Sequence, residues 1–293
     1  MTEEKEAFME FKKIGILGAS TMGAGLVQHI ANCGFEVIFR ARKQSSVDKA
    51  LKHIEGQYDF MITRGWLAAE KKEENMARIT GTTNIEDLAD CDFIIEAASE
   101  DMEIKKDIFR QLDRICRPEV ILSSNTSSLS ITEIASVTDR PERVAGMHFF
   151  NPAPVMKLVE VVPGYNTSDE TIEVVKKVAT NLQKTPIVVN ESPGFVVNRM
   201  LVPMINECVG VLAENIASAE DIDRAMQLGA NHPMGPLALA DLIGLDVCLS
   251  IMEVLHKELG EDKYRPHPLL RKMVRAGKLG QKTGEGFYKY NNK

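Results

Sequence analysis

Residues 13–34 read KIGILGASTMGAGLVQHIANCG. KIGIL is a short apolar run rich in isoleucine and reads as a strand. Residues 22–33 have helical periodicity and stop at Gly34, a helix C-cap signal. The six residues between them, GASTMG at 18–23, approach the dinucleotide-binding pattern G-x-G-x-x-G, with Ser20 where the middle glycine is expected. Strand, glycine turn and helix in that order are the context the pattern requires. A helix N-terminus there offers N–H groups and a positive dipole end to a pyrophosphate. The expected contacts are Gly18, Ser20, Thr21, Met22 and Gly23. Two glycines in a βα turn also occur for structural reasons alone, and Ser20 either crowds a pyrophosphate or donates a hydrogen bond to it.

The next strand, FEVIFR, ends in FRARK at 39–43. An acidic residue at this point would bind the adenosine ribose hydroxyls. Here the position falls on Ala41, between Arg40 and Arg42. The missing carboxylate removes an acceptor for the 2′-hydroxyl and a charge that would repel a 2′-phosphate. Guanidinium groups suit paired hydrogen bonds to phosphate. NADP is therefore the expected cofactor, with NAD the alternative if both arginines are merely solvated.

Outward from this turn, a long polar helix over 44–64 ends at Gly65. Strands are expected in DFIIEAA, EVILSS, RVAGMHFF, MKLVEVV and PIVVN. Alternation of strands and helices argues for a doubly wound α/β sheet, mostly parallel at its start. Strand signals stop after residue 191, so a dinucleotide-binding domain over 1–190 and an all-helical domain over 191–293 are expected. Ser192 reads as the N-cap and Pro193 as the first residue of a long helix. Further helices are expected near 218–228, 236–258 and 266–276.

The 293 residues are 44% hydrophobic and 26% charged, which suits a globular chain of one large or two smaller domains. A net charge of −7 argues against a broadly basic face for nucleic acid. The N-terminal MTEEKEAFMEF has no apolar core and reads as a loose tail rather than a signal peptide. No run of about eighteen apolar residues suggests a membrane span. Five scattered cysteines without a C-x-x-C read as reduced thiols in a cytoplasmic protein, and no Cys/His cluster marks a metal site.

Three further segments carry chemistry. In GMHFFNPAPVMKLVEV at 146–161, His148 ends one expected strand and Glu160 lies on the next. The proline-rich NPAP argues against a helix between them. A carboxylate partner fixes an imidazole tautomer and stabilises the protonated ring. A lone structural histidine is the alternative. In SSNTSSLSITEIA at 123–135, Ser130 and Glu133 fit a capping box. The polar run before them lies at the carboxyl end of a strand, where open α/β sheets bind ligands, so Ser127 is placed to meet a substrate oxygen. Asn198 sits early in an otherwise apolar helix, either for a ligand or facing solvent.

The runs at 121–162, 191–207 (ESPGFVVNRMLVPMINE), 229–246 (GANHPMGPLALADLIGLD) and 280–290 (GQKTGEGFYKY) together closely resemble the 3-hydroxyacyl-CoA dehydrogenase family. The resemblance extends from about residue 12 to the C-terminus and is greatest to bacterial members acting on 3-hydroxybutyryl-CoA in butyrate metabolism. It implies a Rossmann-like domain, a helical domain that mediates homodimerisation, and an acyl-CoA substrate. It further implies reversible hydride transfer to or from a nicotinamide cofactor, on the (S)-3-hydroxy isomer. It assigns His148 as the catalytic histidine, Glu160 as its partner, and Ser127 and Asn198 as ligands of the reacting oxygen. Glu100, Lys105, Asn151, Lys282 and Ser127 match cofactor contacts, and Arg64 matches a basic residue near coenzyme A. Gln57 stands at another coenzyme A position with a different residue type and is not assigned. The family's usual cofactor is NAD, against the reading from Ala41. Two other classes stay open: a non-catalytic descendant that kept the fold, and a dehydrogenase of free hydroxyacids.

Overall fold

The computed structural model describes residues 11–290. Apart from Phe11, the segment expected to be a loose tail lies outside the described residues. The chain divides into two compact units, Met1–Glu191 and Ser192–Lys293.

The first unit begins with β1 (Lys13–Leu17), α1 (Thr21–Asn32) and β2 (Glu36–Arg40). After these come α2 (Gln44–Thr63), α3 (Ala69–Ala77) and β3 (Ile79–Thr82). Next are β4 (Phe93–Glu96), α4 (Met102–Ile115), β5 (Ile121–Ser124) and the short α5 (Ile131–Ala135). The unit closes with β6 (Val144–Phe149), β7 (Leu158–Pro163), α6 (Asp169–Asn181) and β8 (Thr185–Val188). All eight strands form one sheet in the order β3-β2-β1-β4-β5-β6-β7-β8. Every neighbouring pair is parallel except β6 and β7. Strand order reverses between β1 and β4, so a crevice opens there at the carboxyl ends of the strands.

Local chemistry sets these elements. β4 and β5 are buried along their whole length, as expected of strands covered on both faces. Ser20 caps α1, Asp101 caps α4 and Ser130 caps α5, each side chain accepting from the amide three residues on. Glu133 completes no capping box; its carboxylate pairs with Lys106 instead. β3 was not expected, because RITGTT at 78–83 carries a single large apolar residue. It adds to the open edge of β2, and that pairing outweighs its weak strand composition.

The second unit is helical among its described residues: α7 (Val197–Ala213), α8 (Ala219–Ala230), α9 (Pro236–Ile243), α10 (Leu245–Leu259) and α11 (Pro268–Arg275). Two expectations need correction. Ser192 is not the N-cap and Pro193 is not in the helix, because Gly194 and Phe195 have φ of +72° and +49°. Left-handed backbone cannot continue a right-handed helix, so α7 starts at Val197. The helix expected over 236–258 is two, parted by Gly244 at φ +105°. Among the described residues no helix is long and apolar enough to cross a membrane, and all five cysteines are free thiols.

Candidate active site

The turn between β1 and α1 is shaped by close backbone approach. Gly18 has φ +127°, and a Cβ there would lie 2.2 Å from the Ala97 carbonyl oxygen. A Cβ on Gly23 would lie 2.3 Å from the Gly18 carbonyl oxygen. Neither contact is sterically possible, so both positions require glycine. Ser20 is under no such constraint; its Oγ accepts from the Gly23 amide at 3.4 Å and opens the helix. The first-turn amides of α1 have no partner within the helix and point out of its N-terminus.

A cleft of about 1490 Å³ lies at this turn. Gly18, Ser20 and Thr21 line it on one side, and Arg40, Ala41, Arg42 and Lys43 line it at the end of β2. Ser46, Lys49, Ala50 and His53 follow on one face of α2, and Glu103 and Asp107 face them from α4. Met22 and Gly23 are in the first turn of α1 and do not line the cleft. The glycine approaches, the helix N-terminus and the size of the cleft all fit a dinucleotide. Ala41 is buried, with its amide on the Thr82 carbonyl, so no carboxylate meets a ribose here. Arg40 donates through Nε to the Thr83 carbonyl at 3.2 Å, and Arg42 is exposed. Lys43, Lys49 and His53 were not read from the sequence. They sit at and beyond the start of α2, where the helix rather than a motif brings them to the cleft.

Strand register builds the second part of the site. β6 and β7 are antiparallel, with His148 directly opposite Glu160. His148 Nδ1 and Glu160 Oε2 are 2.7 Å apart, with the two residues 5% and 1% exposed. His148 lies two residues beyond Gly146, the last β6 residue paired with β5, and so at the carboxyl end of that strand. Asn125 Oδ1 accepts from the Phe149 amide at 2.8 Å and fixes the strand end beside the histidine. The Phe150 ring packs 4.5 Å from the imidazole, centroid to centroid. Buried Lys184, just before β8, donates to the carbonyls of Ala153 and Met156 in the connecting loop at 2.6 and 2.8 Å. Asn151 is exposed in the same loop, and the Asn151–Pro152 peptide is cis.

Ser127 follows β5. Its amide and hydroxyl both donate to Glu100 Oε1, at 2.8 and 3.1 Å, and Thr126 Oγ1 donates to the same oxygen at 2.7 Å. Burial pushes the Glu100 carboxyl upward, but the Lys105 charge and these donors outweigh it and hold the group below its ordinary value. Lys105 is 1% exposed, with its ammonium 2.8 and 2.9 Å from the two oxygens of Glu96 and 3.5 Å from Glu100. Two hydrogen bonds to Glu96 and the ion pair with Glu100 hold the ammonium between the two carboxylates. Glu96 was not singled out from the sequence.

Arg64 is exposed at the C-terminal end of α2, its guanidinium 5.2 Å from the centre of the Phe60 ring. Asn198 is in the first turn of α7. Lys282 forms an ion pair with Asp246 at 2.5 Å. Asn198 and Lys282 both belong to the second unit.

Residues 13–192 match the model of the 3-hydroxyacyl-CoA dehydrogenase NAD binding domain, and residues 194–290 match that of the 3-hydroxyacyl-CoA dehydrogenase C-terminal domain. The 3-hydroxybutyryl-CoA dehydrogenase of Clostridioides difficile is 56% identical over 280 residues, covering 95% of this chain and 99% of that protein. A probable 3-hydroxybutyryl-CoA dehydrogenase of Deinococcus radiodurans is 52% identical over 278 residues, covering 95% and 100%. The crystal structure of (S)-3-hydroxybutyryl-CoA dehydrogenase from Ralstonia eutropha superposes with a TM-score of 0.91 at 49% identity, over 96% of this chain and 100% of that one. The two family models abut at the boundary between the two compact units and together span nearly all the described residues, and on that agreement the chain belongs to the 3-hydroxyacyl-CoA dehydrogenase family.

Proposed function

We propose that the protein is an (S)-3-hydroxybutyryl-CoA dehydrogenase, interconverting (S)-3-hydroxybutyryl-CoA and acetoacetyl-CoA by hydride exchange with a nicotinamide cofactor. The observation that carries this reading is the buried 2.7 Å contact between His148 Nδ1 and Glu160 Oε2. A carboxylate on Nδ1 holds the proton on that nitrogen and makes Nε2 the proton-accepting one. In oxidation, Nε2 takes the proton of the 3-hydroxyl, and Glu160 stabilises the imidazolium that forms. In reduction, Nε2 returns the proton to the developing alkoxide. The nicotinamide, when bound, accepts or supplies the hydride at C3 of the acyl group. Ser127 donates a hydrogen bond to the reacting oxygen and fixes its distance from the histidine. Asn198 takes the role of a second ligand of that oxygen on the family resemblance, as Arg64 does near coenzyme A. Glu100, Lys105, Asn151 and Lys282 are assigned to the cofactor on the same ground. A general acid/base of this kind contributes about 10²- to 10⁴-fold.

For the cofactor we assign NADP(H) over NAD(H). Ala41 removes the ribose acceptor, and Arg40, Arg42, Lys43 and Lys49 line the cleft beside it. Glu103 and Asp107 oppose them, but from α4 rather than from the turn that meets the ribose. We also assign a homodimer through the second unit, where Met200, Ile216 and Leu228 are exposed. A single monomeric species in light scattering overturns that assignment.

Steady-state turnover of acetoacetyl-CoA with NADPH and NADH tests the main reading, with free acetoacetate in parallel. Turnover of the thioester and not of the acid is expected. Preference for the acid points to a hydroxyacid dehydrogenase, and no turnover with either points to a binding protein.

A further inference from the structure

The sequence directs attention to Ser127, Glu100 and Lys105, but the residue on which all three depend is Glu96. It is the last residue of β4 and is 0% exposed. Its carboxylate takes four bonds from three different segments. The Ala98 amide donates to Oε1 at 2.7 Å from the turn after β4. The Lys105 ammonium from α4 donates to both oxygens. Ser124 Oγ donates to Oε2 at 2.6 Å from the end of β5.

Two routes run from this carboxylate to Ser127. In one, Lys105 bridges Glu96 to Glu100 Oε2, and the other oxygen of Glu100 holds both the amide and the hydroxyl of Ser127. In the other, Ser124 Oγ accepts from the Thr126 amide at 3.3 Å, one residue before Ser127. The Asn125 amide, bonded to the Glu96 carbonyl at 2.7 Å, closes the same turn. We infer that Glu96 is a positioning residue that sets the location of the Ser127 hydroxyl through Lys105 and Glu100 on one side and through Ser124 and Thr126 on the other.

The chemistry of the pair supports that role over a role in stability. Taking a carboxylate and an ammonium out of water costs about as much as their attraction returns, and packed apolar pairs often replace buried ion pairs without loss. What the charges add here is geometry. An apolar side chain at 96 could fill the space, but it would leave the Ala98 amide, Ser124 Oγ and Lys105 without their acceptor and the turn without its fixed point. Ser127 needs that fixed point, because its single hydroxyl proton faces the Glu100 carboxylate in this structure and must be turned to the substrate oxygen during reaction.

The inference rests on the reading of Ser127 as a ligand of the reacting oxygen, and a double-mutant cycle separates the two. Ser127→Ala, Glu96→Gln and the double variant are assayed for kcat and KM with acetoacetyl-CoA and the preferred reduced cofactor. Glu96→Gln alone is expected to lower kcat about tenfold and to move KM by less than about twofold. In the Ser127→Ala background the same change is expected to cost less than about twofold, because the residue it acts through is gone. Multiplying effects overturn the inference and leave the Ser127 reading standing. An unchanged kcat in Ser127→Ala overturns that reading and this inference with it. Should Glu96→Gln not fold, Ser124→Ala cuts one route with a smaller truncation. An expected drop of about threefold in kcat, absent when Ser127 is already alanine, carries the same decision.

Discussion

At the β1–α1 turn the chain takes its shape from side chains it lacks, and at the β6–β7 hairpin from two that it has. A single methyl group on Gly18 or Gly23 would strike a carbonyl, so at those two positions the turn is specified by absence. The hairpin is specified by register. His148 and Glu160 meet because they are opposite each other on antiparallel strands, and a slip of one residue would send them to different faces of the sheet. The turn offers backbone amides, which bind without titrating. The hairpin offers an imidazole held by a buried carboxylate, the pair proposed to handle the proton of the 3-hydroxyl. Substitutions in the hairpin should therefore act on kcat, and substitutions around the turn on cofactor affinity.

The largest effect is expected at the histidine. His148→Asn should lower kcat by about 10²- to 10⁴-fold while cofactor affinity stays within about twofold, since no acid or base remains for the 3-oxygen. Stopped-flow binding and steady-state kinetics on one preparation read both quantities. Near-normal turnover in this variant removes the mechanism. Glu160→Gln should follow with a loss of about 10- to 100-fold in kcat, the range of one charge-assisted hydrogen bond. The amide oxygen can still accept from Nδ1, so orientation survives and only the countercharge is lost. A loss confined to KM would show that Glu160 serves substrate binding instead.

Sequence and structure part company at particular residues. The sheet was legible because β-branched runs alternate with helices, and the dyad was legible because NPAP at 151–154 leaves no room for a crossover helix. β3 was hidden because edge pairing outweighs its composition. The break at Gly244 was hidden because the apolar period runs straight through it. Glu96 was hidden for a different reason: at the end of DFIIEAA it reads as the polar stop of a buried strand, and only the fold brings Lys105 and Ser124 to it. The cations on α2 follow the same rule. Lys49 and His53 are ordinary helix-surface residues until β2 points their helix at the cleft.

On the turn side of the comparison, Ala41→Asp restores the ribose acceptor. It should weaken NADPH by about 10- to 100-fold and improve NADH, because the new carboxylate repels a 2′-phosphate and accepts from a 2′-hydroxyl. The ratio of kcat/KM for the two cofactors, in wild type and variant, reads this directly. A wild type that prefers NADH, or a variant whose preference does not move, overturns the assignment of NADP(H).

The smallest effect is expected at Ser20, the residue by which the turn departs from the dinucleotide pattern. Its Oγ accepts from the Gly23 amide at 3.4 Å, a long bond, so the cap is a weak one. Ser20→Ala should cost about 0.5–1 kcal/mol of stability, and Ser20→Gly only a few tenths, about the cost of a glycine cap. In capping the helix the hydroxyl uses its lone pair and not its proton. That proton is therefore left for a pyrophosphate oxygen at the mouth of α1, and on the proposed cofactor reading the serine would supply a donor where other turns supply only room. Both variants should accordingly weaken cofactor binding by about 0.5–1.5 kcal/mol, the net value of one neutral hydrogen bond, with kcat unchanged. Glycine separates the two accounts of this position, since it removes the donor and any crowding together. If Ser20→Gly binds the cofactor about tenfold more tightly than wild type, the side chain is an obstruction, and the turn carries it for the sake of the helix cap alone.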